Sequence, residues 1–137
     1  MAITHLVDTS VLNRLKSPPV RTVLEPLVQA GAVGRAQMTD LEIGFSARSV
    51  DEWDALAVAL EVMVRVAITD RHFARARQVQ RLLVERGLRG RKLPNLLIAA
   101  AAEEKGLIVV HYDADFAHIA EVTGQIAEWV VPRGSVD

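Results

Sequence analysis

The sequence predicts an α/β sandwich, a three-layer arrangement with helices on both faces of a mostly parallel sheet. Three observations carry this. Short β-branched, apolar runs alternate along the chain with helical segments, which is the pattern of strand–helix–strand units. The run "LIVVHY" at residues 107–112 is apolar almost throughout, as befits a strand covered on both sides. The 137 residues contain no repeat, low-complexity tract or linker, so residues 1–137 read as one domain with one core.

The elements follow in order. "AITHLV" (2–7) is short, β-branched and apolar, and reads as the first strand. "TSVLNRL" (9–15) starts a helix that Pro18 and Pro19 interrupt. "VRTVLEPLVQAG" (20–31) continues as helix to a stop at Gly31, with a kink expected at Pro26. "AVGRAQ" (32–37) is the second strand. Thr39 and Glu42 have the spacing of a capping box, and Ser49 and Glu52 repeat it before a helix that reaches about Met63. "VRVAI" (64–68) is a third strand, after which Thr69 caps an Arg-rich helix that ends at Gly87. Beyond the basic loop "GLRGRKL" (87–93), Pro94 suits the first turn of a helix over 94–106. "LIVVHY", a helix over 113–124 and a last strand "QIAEWVV" (125–131) complete the pattern.

Composition narrows the chemistry. Half of the residues are apolar and 24% are charged, as in soluble globular domains. No apolar run approaches the ~18 residues of a membrane span. The stretch "MAITHLVDTS" lacks the basic and long apolar parts of a signal peptide. Cysteine is absent, which excludes disulfides, thiol catalysis and zinc–thiolate sites. Together these features point to the cytosol.

Asp8 and Asp113 each follow a strand directly, and Glu42 and Asn95 lie in helices that open near the same sheet edge. Ligands of open parallel sheets bind at the carboxyl ends of the strands. Gathered there, the acids would repel one another, and a hard divalent cation such as Mg²⁺ would relieve the conflict. Such a site suits phosphodiester hydrolysis, because the metal polarises the phosphoryl oxygen and acidifies a water. Each residue also has a plainer role open to it. Asp8 and Asp113 suit N-caps, Glu42 completes its box, and Asn95 is a first-turn polar residue. Thr9 and Ser10 suit either capping or contact with a phosphate or a metal water. His111 reads best as a strand-end histidine bonded to backbone, and Trp53 and Trp129 as core or interface.

The ordered set "VDTSVL", "DLEIGFSA", "LPNLLIAAAAEEKGL" and "VVHYDADFAHIAE" resembles the PIN-domain ribonucleases, above all the VapC toxins of type II toxin–antitoxin pairs. The resemblance spans essentially the whole chain. It implies a PIN fold and Mg²⁺- or Mn²⁺-dependent endonucleolytic cleavage of translation-machinery RNA, either transfer or ribosomal. It further implies a VapB-type antitoxin partner and a homodimer. Asp8 matches the first acidic ligand, Glu42 the second acid, and Asp113 and Asp115 the last acidic pair. Asn95 stands where the family has an aspartate ligand. The expected metal set is therefore Asp8, Asn95 and Asp113.

Asparagine is neutral and offers one oxygen, so this departure predicts weak metal binding and little or no nuclease activity. Either the residue is engineered, to make a toxin expressible, or the chain is a naturally weakened paralogue. The intact remainder of the site favours the first. The basic stretch before Asn95 predicts that Arg86, Arg89, Arg91 and Lys92 hold the RNA backbone, although a solvated helix face is the plainer reading of the arginines. The alternative function is a catalytically silent module that binds RNA or an antitoxin. A haloacid-dehalogenase-like phosphatase lacks its second aspartate here, and no Walker or Rossmann glycine loop or G-x-S-x-G elbow is present.

Overall fold

Every strand pairing among the described residues is parallel. The computed structural model describes residues 2–137. The chain runs β1 (His5–Val7), α1 (Thr9–Leu12), α2 (Pro18–Gln29), β2 (Val33–Ala36), α3 (Gln37–Phe45), α4 (Val50–Leu60) and β3 (Val64–Val66). It continues with α5 (Asp70–Glu85), α6 (Leu93–Lys105), β4 (Ile108–His111), α7 (Ala114–Thr123) and β5 (Ala127–Trp129). The strands form one sheet in the order β3-β2-β1-β4-β5. The order reverses between β1 and β4, so the chain leaves these two neighbours toward opposite sides. That divergence opens a crevice at their carboxyl ends.

The two-residue period of the strands sorts their side chains between two cores. Leu6, Ala36, Val66 and Val109 face α5, α6 and α7, where Leu83, Ile98, Phe116 and Ile119 are buried. Val7, Val33 and Val110 face the other way, against Val11, Val20, Leu24, Ile43 and Leu60. The three-layer expectation holds. Helix α6 has eight consecutive buried residues, Asn95–Ala102. Its alanines let it lie close to its neighbours, and Gly106, at φ +66, turns the chain into β4.

Four local readings change. Pro18 and Pro19 occupy the first turn of α2 and open it, and the helix continues through Pro26 without a break. Gln37 begins α3 instead of ending β2, and Ala36 is the N-cap. Thr39 therefore lies within the first turn, fully buried, and the Thr39–Glu42 capping box does not form. Thr69 does begin α5, but its partner is a histidine: the Thr69 N–H donates to His72 Nδ1 at 2.9 Å. Buried His72 then reaches Glu104 on α6 through Nε2, also at 2.9 Å.

Candidate active site

Asp8 has an extended backbone and caps α1, as its plainer reading required: Oδ2 accepts the Ser10 N–H at 2.9 Å. Its own N–H donates to the Val110 carbonyl, which ties the residue to the end of β4. Its other oxygen, Oδ1, is buried and has no hydrogen-bond partner among the described residues. A cap uses one carboxylate oxygen, and here the second remains for another role. Burial raises the Asp8 pKa above the usual carboxylate value. The Ser10 contacts oppose this and the nearby Asp113 charge adds to it.

Freed from capping, Glu42 accepts a hydrogen bond from Thr9 Oγ1 at 2.8 Å. Burial raises its pKa as well, against the Thr9 bond and with the Asp8 charge. Ser10 Oγ accepts the Tyr112 N–H at 2.9 Å and so joins α1 to the end of β4.

Asp113 caps α7 by accepting the Asp115 N–H at Oδ1, 2.9 Å away. Its Oδ2 receives Lys92 Nζ and Asn95 Nδ2, each at 3.1 Å. Burial alone would raise its pKa, but the Asp115 N–H, Lys92 and Asn95 outweigh it and hold the group below the usual range. Asn95 is buried in the first turn of α6 and donates to Asp115 as well, at 3.2 Å. With two carboxylates on one side, the amide must turn its NH₂ toward them. Asp115 braces the loop: it accepts the Lys92 N–H at 2.9 Å and Arg91 Nη1 at 3.2 Å.

His111 fits its backbone reading. It is 1% exposed, and its Nδ1 accepts the Asp113 N–H at 3.3 Å. Burial depresses its pKa to about 4, against the pull of Asp113, so the ring is neutral near pH 7. Of the four basic residues expected to hold RNA, Lys92 reaches the cleft. Arg91 is committed to Asp115, and Arg86 and Arg89 are exposed outside the cavity lining. Along α5, Arg71 pairs with Glu104 and Arg75 with Glu103, so much of the Arg-rich face braces α6.

Asp8, Glu42, Asn95 and Asp113 thus line one cavity of about 650 Å³. The same cavity is lined by Arg14, Tyr112, Trp129 and Arg133, which the sequence did not single out for the site. Trp129 in particular belongs to the cleft, half-buried at the end of β5.

The family resemblance implies a divalent cation here. Asp8 fits one, because Oδ1 is a buried carboxylate oxygen with an open coordination position. Asp113 fits through Oδ2, which already gathers positive charge. Asn95 fits poorly, since its amide nitrogen faces the acids. Among the described residues, no three acidic or histidine side chains are gathered for a metal ion.

The sequence matches the PIN domain family over residues 5–122. The chain belongs to the PIN-domain family. Ribonuclease VapC51 of Mycobacterium tuberculosis (strain ATCC 25618 / H37Rv) is 56% identical over 137 residues, covering 100% of both chains. Ribonuclease VapC21 of the same species (strain CDC 1551 / Oshkosh) is 41% identical, covering 98% of this chain and 99% of its own. Within the PIN domains, the chain therefore belongs with the VapC proteins. The crystal structure of DNA-bound VapBC from Salmonella typhimurium shares the fold. Its TM-score is 0.74 at 18% identity, over 94% of this chain and 99% of that one.

One prediction concerns the partnerless oxygen in this PIN domain. Asp8→Asn keeps an oxygen for the Ser10 N–H and removes a buried charge. In EDTA near pH 8 it should stabilise the fold by about 1–3 kcal/mol. The folded pKa of Asp8 is raised, so the native state holds its proton longer than the unfolded chain does. The penalty is therefore full above the folded pKa and vanishes below the unfolded value. Denaturant titrations at pH 8 and pH 3 check this. A variant that melts below the parent at pH 8 would show that Oδ1 has a stabilising partner.

Proposed function

We propose that this VapC-family PIN domain is the toxin of a type II toxin–antitoxin pair. Its scaffold is a Mg²⁺- or Mn²⁺-dependent endoribonuclease for transfer or ribosomal RNA, attenuated in this chain by Asn95. The observation that carries the reading is the buried, partnerless Asp8 oxygen beside Asp113, in a chain 56% identical to a protein named a ribonuclease.

Asp8 and Asp113 would hold the cation, with the Asn95 position between Asp113 and Asp115. When bound, a divalent cation supplies Lewis-acid polarisation of a phosphoryl oxygen and acidifies a water. The chain's own residues do the rest. Glu42, half-buried and oriented by Thr9, is placed to accept the proton of an attacking water. Lys92, now spent on Asp113, can turn to a phosphate oxygen of the RNA, and Thr9 and Ser10 hold the acid-bearing turn in register. Arg86 and Arg89 act further out as diffuse backbone contacts.

The partner is a VapB-type antitoxin, and the assembled toxin is a homodimer in the cytosol. A second, apolar cavity of about 410 Å³, lined by Leu12, Leu24, Leu56 and Met63 among others, supports docking of a partner. Val11, by contrast, is fully buried and lies outside that lining. The silent binding module remains the second reading, favoured by one observation: the Asn95 amide satisfies Asp113 and Asp115 without a metal.

The test is a paired assay on total cellular RNA. The chain and Asn95→Asp are incubated with Mg²⁺ or Mn²⁺ and with EDTA. Discrete fragments from Asn95→Asp, lost in EDTA, support the nuclease, and their ends identify the target. No cleavage by either folded form transfers the case to the binding module. In a companion measurement, Arg86→Glu/Arg89→Glu should weaken RNA binding several-fold and flatten its salt dependence. Unchanged affinity would return both arginines to a solvated face.

A further inference from the structure

The cleft poses a charge problem for its proposed substrate. Asp8, Glu42 and Asp113 line it, yet an RNA backbone brings only negative charge. The basic loop answers part of this, since Lys92 alone of that loop lines the cavity. The other basic side chains lining it, among the described residues, are Arg14 and Arg133.

Both guanidinium groups are seated on aromatic rings. Arg14 lies 4.6 Å from the Tyr112 ring centroid, and Arg133 lies 5.7 Å from that of Trp129. The two rings brace each other edge-on, with centroids 5.5 Å apart at 89°. Trp129 also packs on buried His111, at 4.9 Å. The Tyr112 hydroxyl is fixed in turn: it donates to the Val136 carbonyl and accepts the Gly134 N–H at 2.8 Å. A guanidinium held over a ring keeps its planar fork of N–H groups for a phosphate and is weakly hydrated. Arg14 uses Nε on the Asp137 main-chain oxygen and Nη1 on the Ser10 carbonyl, which leaves donors over. Arg133 is exposed and forms no ion pair among the described residues.

We propose that Arg14 and Arg133, carried on the Tyr112–Trp129 shelf, form a phosphate-binding subsite for the RNA backbone beside the scissile position. The proposal rests on the ribonuclease reading above and extends it. Asp8 and Asp113 follow the central strands β1 and β4, and Arg133 lies just past the edge strand β5. The RNA therefore runs along the carboxyl edge of the sheet, from the acids toward β5. Lys92 holds it over the acids, and the shelf holds the neighbouring phosphate.

The test measures affinity without cleavage. Binding of a fluorescent, nuclease-resistant 2′-O-methyl single-stranded RNA is followed by anisotropy in EDTA, across a salt series. Arg133→Ala should weaken binding on the order of three- to tenfold and reduce the log–log salt slope by about 0.7. Arg133→Lys should keep the slope while recovering part of the affinity, and Arg133→Glu should weaken binding further. Melting curves confirm that each variant is folded. If the parent binds and Arg86→Glu/Arg89→Glu weakens it while all three Arg133 variants match the parent, the subsite is wrong and the ribonuclease reading stands. If the parent binds no RNA, both fall.

Discussion

Asn95→Asp should melt well below the parent chain in EDTA and recover when Mn²⁺ or Mg²⁺ is added. The amide of Asn95 donates to Asp113 and Asp115, at 3.1 and 3.2 Å. A carboxylate there removes both bonds and adds a third negative charge. Hydrogen bonds to charged groups are worth about 1.5–3 kcal/mol each, so a loss of roughly 3 kcal/mol is expected in metal-free buffer. A cation that binds only the folded form returns about 2.7 kcal/mol at a hundred times its Kd. The parent, whose acids are already bridged by an amide and an ammonium, should respond much less. In the same variant, metal-dependent cleavage should rise by about 100-fold or more, since loss of mere supporting groups around a metal costs about 10–100-fold. Equal thermal responses of the two proteins to Mn²⁺ would show that residue 95 is not part of a cation site.

Asp115→Ala should cost more stability than any surface substitution, about 3–5 kcal/mol. Asp115 is 7% exposed and has no solvent role. It accepts Arg91, the Lys92 N–H and Asn95, and so fastens the basic loop and α6 to α7. Its removal takes the carboxylate from a half-buried guanidinium, from the part-buried Lys92 N–H and from one of the two bonds of the buried Asn95 amide, which is where the cost arises. Melting temperature should fall on the order of 10 °C. Asp115→Asn keeps one acceptor oxygen and should lie between. If Asp115 touched the substrate and did nothing else, the alanine variant would melt like the parent and lose only activity.

Much of this was legible in the chain because the deciding signals are local. An uninterrupted β-branched run announces a covered strand, and Asp8 and Asp113 declare themselves by following two such runs directly. The Thr39–Glu42 spacing misled because helix onset there is set by the exit from β2, three residues earlier than a threonine cap would place it. That shift is what frees Glu42 to meet Thr9. The Arg91–Asp115 contact was not legible because the acceptor lies 24 residues away, on α7. Arg14, Tyr112, Trp129 and Arg133 come from the flanks of α1 and β4 and from β5 with its flank, and only the strand order brings them together. Trp129 in particular has the composition of a core residue and the position of a wall.

The sheet ends on each side in a strand of three residues, β3 and β5. Arg65 sits at the centre of one and Glu128 at the centre of the other, both exposed. Edges this short and charged are poor templates for another chain's strand. Growth by strand addition, whether into aggregates or through a partner extending the sheet, is thereby discouraged. Assembly of this protein is left to its helical faces.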